Sequence, residues 1–146
     1  MTPTPAPSPL ARIVVGFDGS PPASRALAFA LEIARPTRAH LFVVHVRERD
    51  AAQLEPTTEE ESTSADDAIA AAVAGWAERA REAGIPFTPA LRERPVADAI
   101  LAVAAEVAPE MIVVGTRGLR AVSKVLLGSV SASLLARAGR PVLVVP

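Results

Sequence analysis

Four short apolar runs, Ile13-Val14-Val15, Leu41 to Val44, Met111 to Val114 and Val142 to Val145, are continuous where a half-exposed strand would alternate. Continuity requires apolar cover on both faces, and that condition is met by a parallel sheet held between two helical layers. A weaker fifth strand fits Pro86 to Arg92. Its mixed polarity and its two prolines place it at an edge, where a missing N–H is tolerated. Helical spacing fills the gaps between the strands: Leu27, Ala30, Leu31 and Ala34; then Ile69, Val73, Trp76 and Ala80; then Val96, Ile100, Val103 and Val107; and last Val130, Leu134 and Leu135. Ser20-Pro21 supplies a cap and a first-turn proline, and Gly139-Arg140-Pro141 ends the last helix. The alternation β-α-β-α-β-α-β-α-β predicts an open, Rossmann-like α/β fold.

A chain of 146 residues can bury one full core, so a single domain is expected over 11–146, behind a Pro-rich disordered tail at 1–10. The formal net charge of −1 provides no field to attract nucleic acid or an anionic membrane. No apolar run approaches the ~20 residues of a membrane span. Cysteine is absent, which excludes thiolate chemistry and suits a reducing cytoplasm. The acidic stretch Asp50 to Asp67 contains no basic residue and predicts a solvated mobile loop in preference to a metal site. His40 and His45 flank the second strand as structural residues, and Trp76 belongs to the core.

Two glycine-bearing loops follow strands. Gly16-Phe17-Asp18-Gly19-Ser20 follows the first, and Gly115-Thr116-Arg117-Gly118 follows the fourth, with Gly128-Ser129 nine residues further on. Glycine lets the backbone approach a ligand closely, and a helix that starts just after such a loop aims unpaired N–H groups at an anion. Gly115 and Gly118 are expected to curl around a phosphate or ribose. Gly128, Ser129, Val130 and Ser131 are expected to form a helix start with free amides and two hydroxyls. Arg117 is the best-placed cation, ahead of Arg120 and Lys124. Asp18 can accept ribose hydroxyls or help hold hydrated Mg²⁺, or it can serve only as a turn residue. The same residues are open to a structural reading, since Gly128-Ser129 also makes a plain helix cap. No Gly-Lys-Ser/Thr phosphate loop occurs, and no base other than Asp18 stands out, so any hydrolysis should be slow.

The Gly-x-x-Gly-x9-Gly-Ser spacing resembles the ATP-binding branch of the universal stress protein family. Ile13 to Ser20 looks like that family's opening strand and Asp-Gly-Ser turn, and Arg140 to Val145 looks like its closing segment. The resemblance implies a five-stranded parallel sheet of order 3-2-1-4-5, like that of adenine nucleotide alpha hydrolases. It implies that the backbone at Gly16 and Phe17 lies by the nucleotide with Asp18, and that the backbone at Val46 meets adenine. It also implies that Gly115, Arg117 and Gly118 line the ribose and phosphates, while Gly128, Ser129, Val130 and Ser131 hold the phosphate chain. ATP with Mg²⁺ or Mn²⁺, a regulatory role, and a homodimer through Val142 to Val145 follow as expectations. The alternatives are an AMP or cyclic AMP binder and a nucleotide-free dimeric module that docks other proteins. Glu93-Arg94-Pro95 departs from the family's usual Gly-x-Pro turn, and Phe17 is bulkier than the residue often found there.

Overall fold

The computed structural model describes residues 3, 9–47, 59–93, 95–116 and 128–146, with the backbone alone for 59–64. Nine elements run in the order β1 (Arg12–Gly16), α1 (Pro21–Ala34), β2 (His40–Val46), α2 (Glu59–Glu82), β3 (Phe87–Arg92), α3 (Val96–Val107), β4 (Met111–Gly115), α4 (Ser129–Arg137) and β5 (Val142–Val145). All strand pairs are parallel, and the sheet order is β3-β2-β1-β4-β5. The helical layers are those the apolar patterning predicts, and the strand order is the one the family resemblance implies.

Period-two alternation sorts the strand side chains into two cores. Ile13, Val15, Leu41, Val43 and Val113 face α1 and α2, where Ala26, Leu27, Ala30, Ile69 and Val73 cover them. Val14, Val44, Ile112 and Val114 face α3 and α4, under Ile100, Val103 and Leu134. Ile13, Val14 and Val15 are all fully buried, so neither face of β1 touches water. Each such side chain contributes roughly 1.5–3 kcal/mol by leaving solvent. This two-sided burial is the physical cause of the uninterrupted apolar runs.

Local signals set the helix ends. Ser20 is the N-cap of α1, its hydroxyl accepting from Ala23 N–H at 3.3 Å, with proline in the first turn. The acidic stretch departs from expectation. Between β2 and α2 residues 48–58 lie outside the described residues, and helix α2 already begins at Glu59, so Asp66 and Asp67 are helical. Carboxylates near a helix N-terminus favour the helix dipole, and alanines carry it onward. Charge alone had marked this segment as loop. At the opposite end of the sheet, Glu110 Oε1 accepts from Ala11 N–H (2.6 Å) and Arg12 N–H (2.7 Å), stapling the entry of β1 beside β4.

The hydrogen-bond alternation also defines the two edges. Leu41 N–H donates to the Pro86 carbonyl and Arg47 N–H to that of Arg92, so Pro86, Thr88, Ala90 and Arg92 face β2. Phe87, Pro89 and Leu91 therefore direct their main chain outward, and Pro89 has no N–H to offer there. On the other side, Ile112 N–H donates to Pro141 and Thr116 N–H to Val145, leaving the main-chain groups of Val142 and Val144 facing outward.

Candidate functional site

β1 and β4 are neighbours, and β1 and β4 continue into loops at the same carboxyl end of the sheet, where the strand order reverses. Crevices of this kind are where open α/β sheets take ligands. Three sets of groups meet at this end: the turn after β1, the end of β2, and the pair of residues that bracket 117–127.

The turn after β1 is tightly built. Asp18 Oδ1 accepts from Ser20 N–H at 2.9 Å, and Gly19 between them takes φ +81°, a left-handed geometry that side chains disfavour. Asp18 is half-buried, the one carboxylate in this turn. Phe17 ties the turn back to the sheet. Its N–H donates to the Val44 carbonyl at 2.9 Å, and its side chain is buried in the α1/α2 core. Its amide is therefore committed to the sheet and its bulk lies away from the crevice.

Gly16 and Gly115 serve packing. A Cβ on Gly16 would stand 2.8 Å from Ile100 Cδ1, and one on Gly115 would stand 2.8 Å from the Pro22 carbonyl carbon and 2.9 Å from Ala23 N. The two glycines thus let α3 and α1 press onto neighbouring strand ends from opposite faces. For Gly115 the close partner is helix backbone, a sufficient reason for glycine before any ligand is considered.

Val46 gains weight from the register. Even-numbered residues of β2 face β1, as Phe17 N–H to Val44 O shows, yet the β1–β2 pairing ends at Gly16↔Val44. The N–H and C=O of Val46 therefore point past the end of β1 toward the crevice, offering one donor and one acceptor side by side. A planar base edge bearing a complementary donor and acceptor fits such a pair.

α4 begins at Ser129 with Gly128 as its N-cap and no side-chain capping bond. Ser129 is exposed, Val130 half-buried and Ser131 buried. The first-turn amides have no intrahelical acceptor and carry the positive end of the helix dipole. Ser131 differs from the expectation that both hydroxyls are presented to a ligand. Its Oγ–H is directed at two carbonyls, Thr116 O at 3.0 Å and Gly128 O at 3.1 Å. Gly128 N–H also donates to Thr116 O at 2.7 Å, and Thr116 N–H to Val145 O at 2.8 Å. Thr116 and Ser131 thus fasten both ends of the intervening segment, a role that spacing alone did not reveal. Arg117 and Gly118, with Arg120 and Lys124, lie outside the described residues.

The histidines are structural at one position and cavity-lining at the other. His40 stacks on Phe42 with centroids 4.1 Å apart, and its Nε2 is 2.7 Å from Thr88 Oγ1; burial lowers its pKa. His45 is buried beneath α2, beside a cavity of about 510 Å³ that Arg47, Asp67, Val73, Pro89 and Leu91 also line. Among the described residues no cluster of three His, Cys, Asp or Glu could hold a metal, and no helix is long and apolar enough to cross a membrane.

The fold is that of a doubly wound α/β protein whose strand order reverses between β1 and β4, the position at which such sheets take ligands. The family model described as the universal stress protein family matches residues 10–146, and the chain belongs to that family. It is 40% identical over 136 residues to the universal stress protein in the QAH/OAS sulfhydrylase 3′ region of Thermus aquaticus, covering 91% of this chain and 96% of that one. It is also similar to the universal stress protein of Archaeoglobus fulgidus in complex with dAMP, at 29% identity and TM-score 0.66, covering 93% of this chain and 98% of the other. A universal stress protein in complex with cAMP is similar at 29% identity and TM-score 0.71, with coverage of 93% and 97%.

Proposed function

We propose that this protein is a cytoplasmic, adenine-nucleotide-responsive regulator, with ATP and Mg²⁺ (or Mn²⁺) as its ligand. The observation that carries the reading is the uncapped start of α4, set at the strand reversal two strands from the outward donor–acceptor pair of Val46. Base and phosphate then have separate, chemically matched contacts. Ser129, Val130 and Ser131 supply amides to phosphate oxygens, Gly128 gives the backbone room, and Arg117 and Gly118 extend the cradle. Among the described residues no group of three His, Cys, Asp or Glu could hold a metal, so a divalent ion would be held chiefly by phosphate oxygens and water, with Asp18 as the protein's contribution. The ion would offset phosphate charge. Asp18 is the candidate base that the motif itself supplies, in keeping with slow hydrolysis at most.

A second reading, a monophosphate such as AMP or cyclic AMP, is favoured by one observation: the similar solved proteins named above hold dAMP and cAMP. Mass spectrometry of the small molecules released by denaturing the purified protein distinguishes the two. Ser129→Glu tests the shared site. A carboxylate in the first turn stabilises α4 yet repels phosphate, so the variant should keep its melting temperature and bind nucleotide at least about ten-fold more weakly. Unchanged binding would remove the helix start from the site.

We place a homodimer at β5. Val142 and Val144 present open main-chain groups, and exposed apolar side chains flank them. Arg25 Nε donates to the Pro146 carbonyl at 2.6 Å, and Phe29, one turn on along the same helix face, is 57% exposed. Leu135 on α4, on the other side of the sheet, is 50% exposed. A two-fold axis would pair the β5 strands antiparallel and cover these apolar groups.

A further inference from the structure

Thr116 stands between the two surfaces just described and is bonded to both. Its N–H donates to Val145 O at 2.8 Å, in the final rung that holds β5 to the sheet. Its carbonyl accepts Gly128 N–H at 2.7 Å and the buried Ser131 hydroxyl at 3.0 Å, both at the start of α4. One residue's backbone therefore fixes where the open amides of α4 lie and where the β5 edge ends.

We propose that Thr116 and Ser131 form a latch that positions the α4 amides and links nucleotide binding to pairing of the β5 edges, so that each strengthens the other. The proposal rests on the adenine-nucleotide reading and adds its regulation. Ser131 is a positioning residue here: its hydroxyl faces two backbone carbonyls of the protein itself. An anion drawn onto Ser129 and Val130 restrains the first turn of α4. That restraint passes through Ser131 Oγ and Gly128 N–H to the Thr116 carbonyl, and through the φ and ψ of Thr116 to the Val145 rung. A second copy paired on Val142 and Val144 restrains the same rung from outside. Whichever ligand arrives first orders part of what the other must order, which is positive coupling. By linkage the two effects are tied: a dimer holds two nucleotide sites, so its dissociation constant changes by the square of the per-site affinity factor, and couplings of this kind commonly amount to about five-fold or more.

The test uses the full-length protein and a fluorescent ATP analogue labelled on the ribose. Sedimentation of the wild type with and without saturating ATP should show the dimer dissociation constant falling about five-fold or more. Val144→Pro removes an outward N–H without touching the β4 ladder; it should yield a monomer that binds the analogue weaker by the square root of that factor, one share for each of the dimer's two sites. Ser131→Ala should weaken both binding and dimerisation, and Ser131→Thr, which restores the hydroxyl, should rescue both. An ATP-independent dimer constant overturns the latch, as does a Val144→Pro monomer with wild-type affinity or a Ser131→Ala variant altered in neither property. Should Val144→Pro not fold, the ATP titration of wild-type sedimentation decides by itself. Nucleotide binding by a chain that stays monomeric refutes the coupling and leaves the function standing. Absence of any adenine-nucleotide binding refutes the function and the latch with it.

Discussion

β3 and β5 are both edges of one parallel sheet, yet they face solvent with different chemistry. On β3 the outward positions are Phe87, Pro89 and Leu91, and the central one lacks a donor. On β5 they are Val142 and Val144, both β-branched and both carrying a free N–H and C=O. An open edge is a template for another strand, and proteins commonly blunt such edges with proline. Here one edge is blunted and the other is left open beside Phe29 and Leu135. The proposed β5 pairing therefore uses a single face, and pairing of that kind closes as a dimer and does not propagate.

That contrast can be broken at several points. The largest effect is expected from Gly115→Val, at the register partner of Val145. Its Cβ would meet helix backbone at 2.8 Å, which cannot swing away, and overpacking there should cost about 3 kcal/mol, read by denaturant unfolding. The equivalent Gly16 change meets the flexible end of Ile100 and should cost less. Val144→Pro should copy the β3 solution onto β5. Two cross-edge hydrogen bonds lost about a two-fold axis amount to ~2 kcal/mol, roughly a thirty-fold weaker dimer by analytical ultracentrifugation. Leu135→Glu should weaken the dimer by about ten-fold while leaving monomer stability unchanged, since the residue is half exposed already. Pro89→Val works the other way. By restoring an outward N–H it should produce concentration-dependent species larger than the dimer in light scattering, and no such species would mean that proline is not what protects β3.

The smallest effect belongs to a control distant from both edges. Burial raises the pKa of Glu110, but the amides of Ala11 and Arg12 and the Arg12 charge outweigh it and hold the carboxylate below its usual value. A group with a depressed folded pKa stabilises the fold above its unfolded pKa, and that contribution is lost as pH falls through the folded value. Glu110→Gln should therefore melt slightly lower than wild type at neutral pH. The gap should close as pH falls from the ordinary glutamate range through the lowered folded pKa, with dimerisation unaffected throughout.

The elements were legible because burial writes itself locally. The apolar run Val142 to Val145 coincides with β5, and Ser20-Pro21 marked the start of α1 through cap chemistry that needs no distant partner. Segments carrying charge were read less well. Glu59 to Asp67 looked like loop because acidic side chains fit both a solvated loop and a helix start, and only the alanines beyond them decide. At the candidate site, the motif picked out two loops at one end of the sheet but said nothing of the structural work that some of its residues also do. Gly115 is glycine because α1 packs against it, the Phe17 amide is occupied by Val44, and the Ser131 hydroxyl holds Thr116.

Alone, the sequence determined the strands, the helices and the two-sided burial of the sheet, because each depends on periodicity and capping within a few residues. The strand order, which main-chain groups face the crevice, which edge remains open and the bonds made by Thr116 were decided only by tertiary structure. Those features join residues far apart in the chain, such as Val46 beyond β1 and Val145 beside Thr116, whose partners are set by packing and register. No short-range pattern records such pairings.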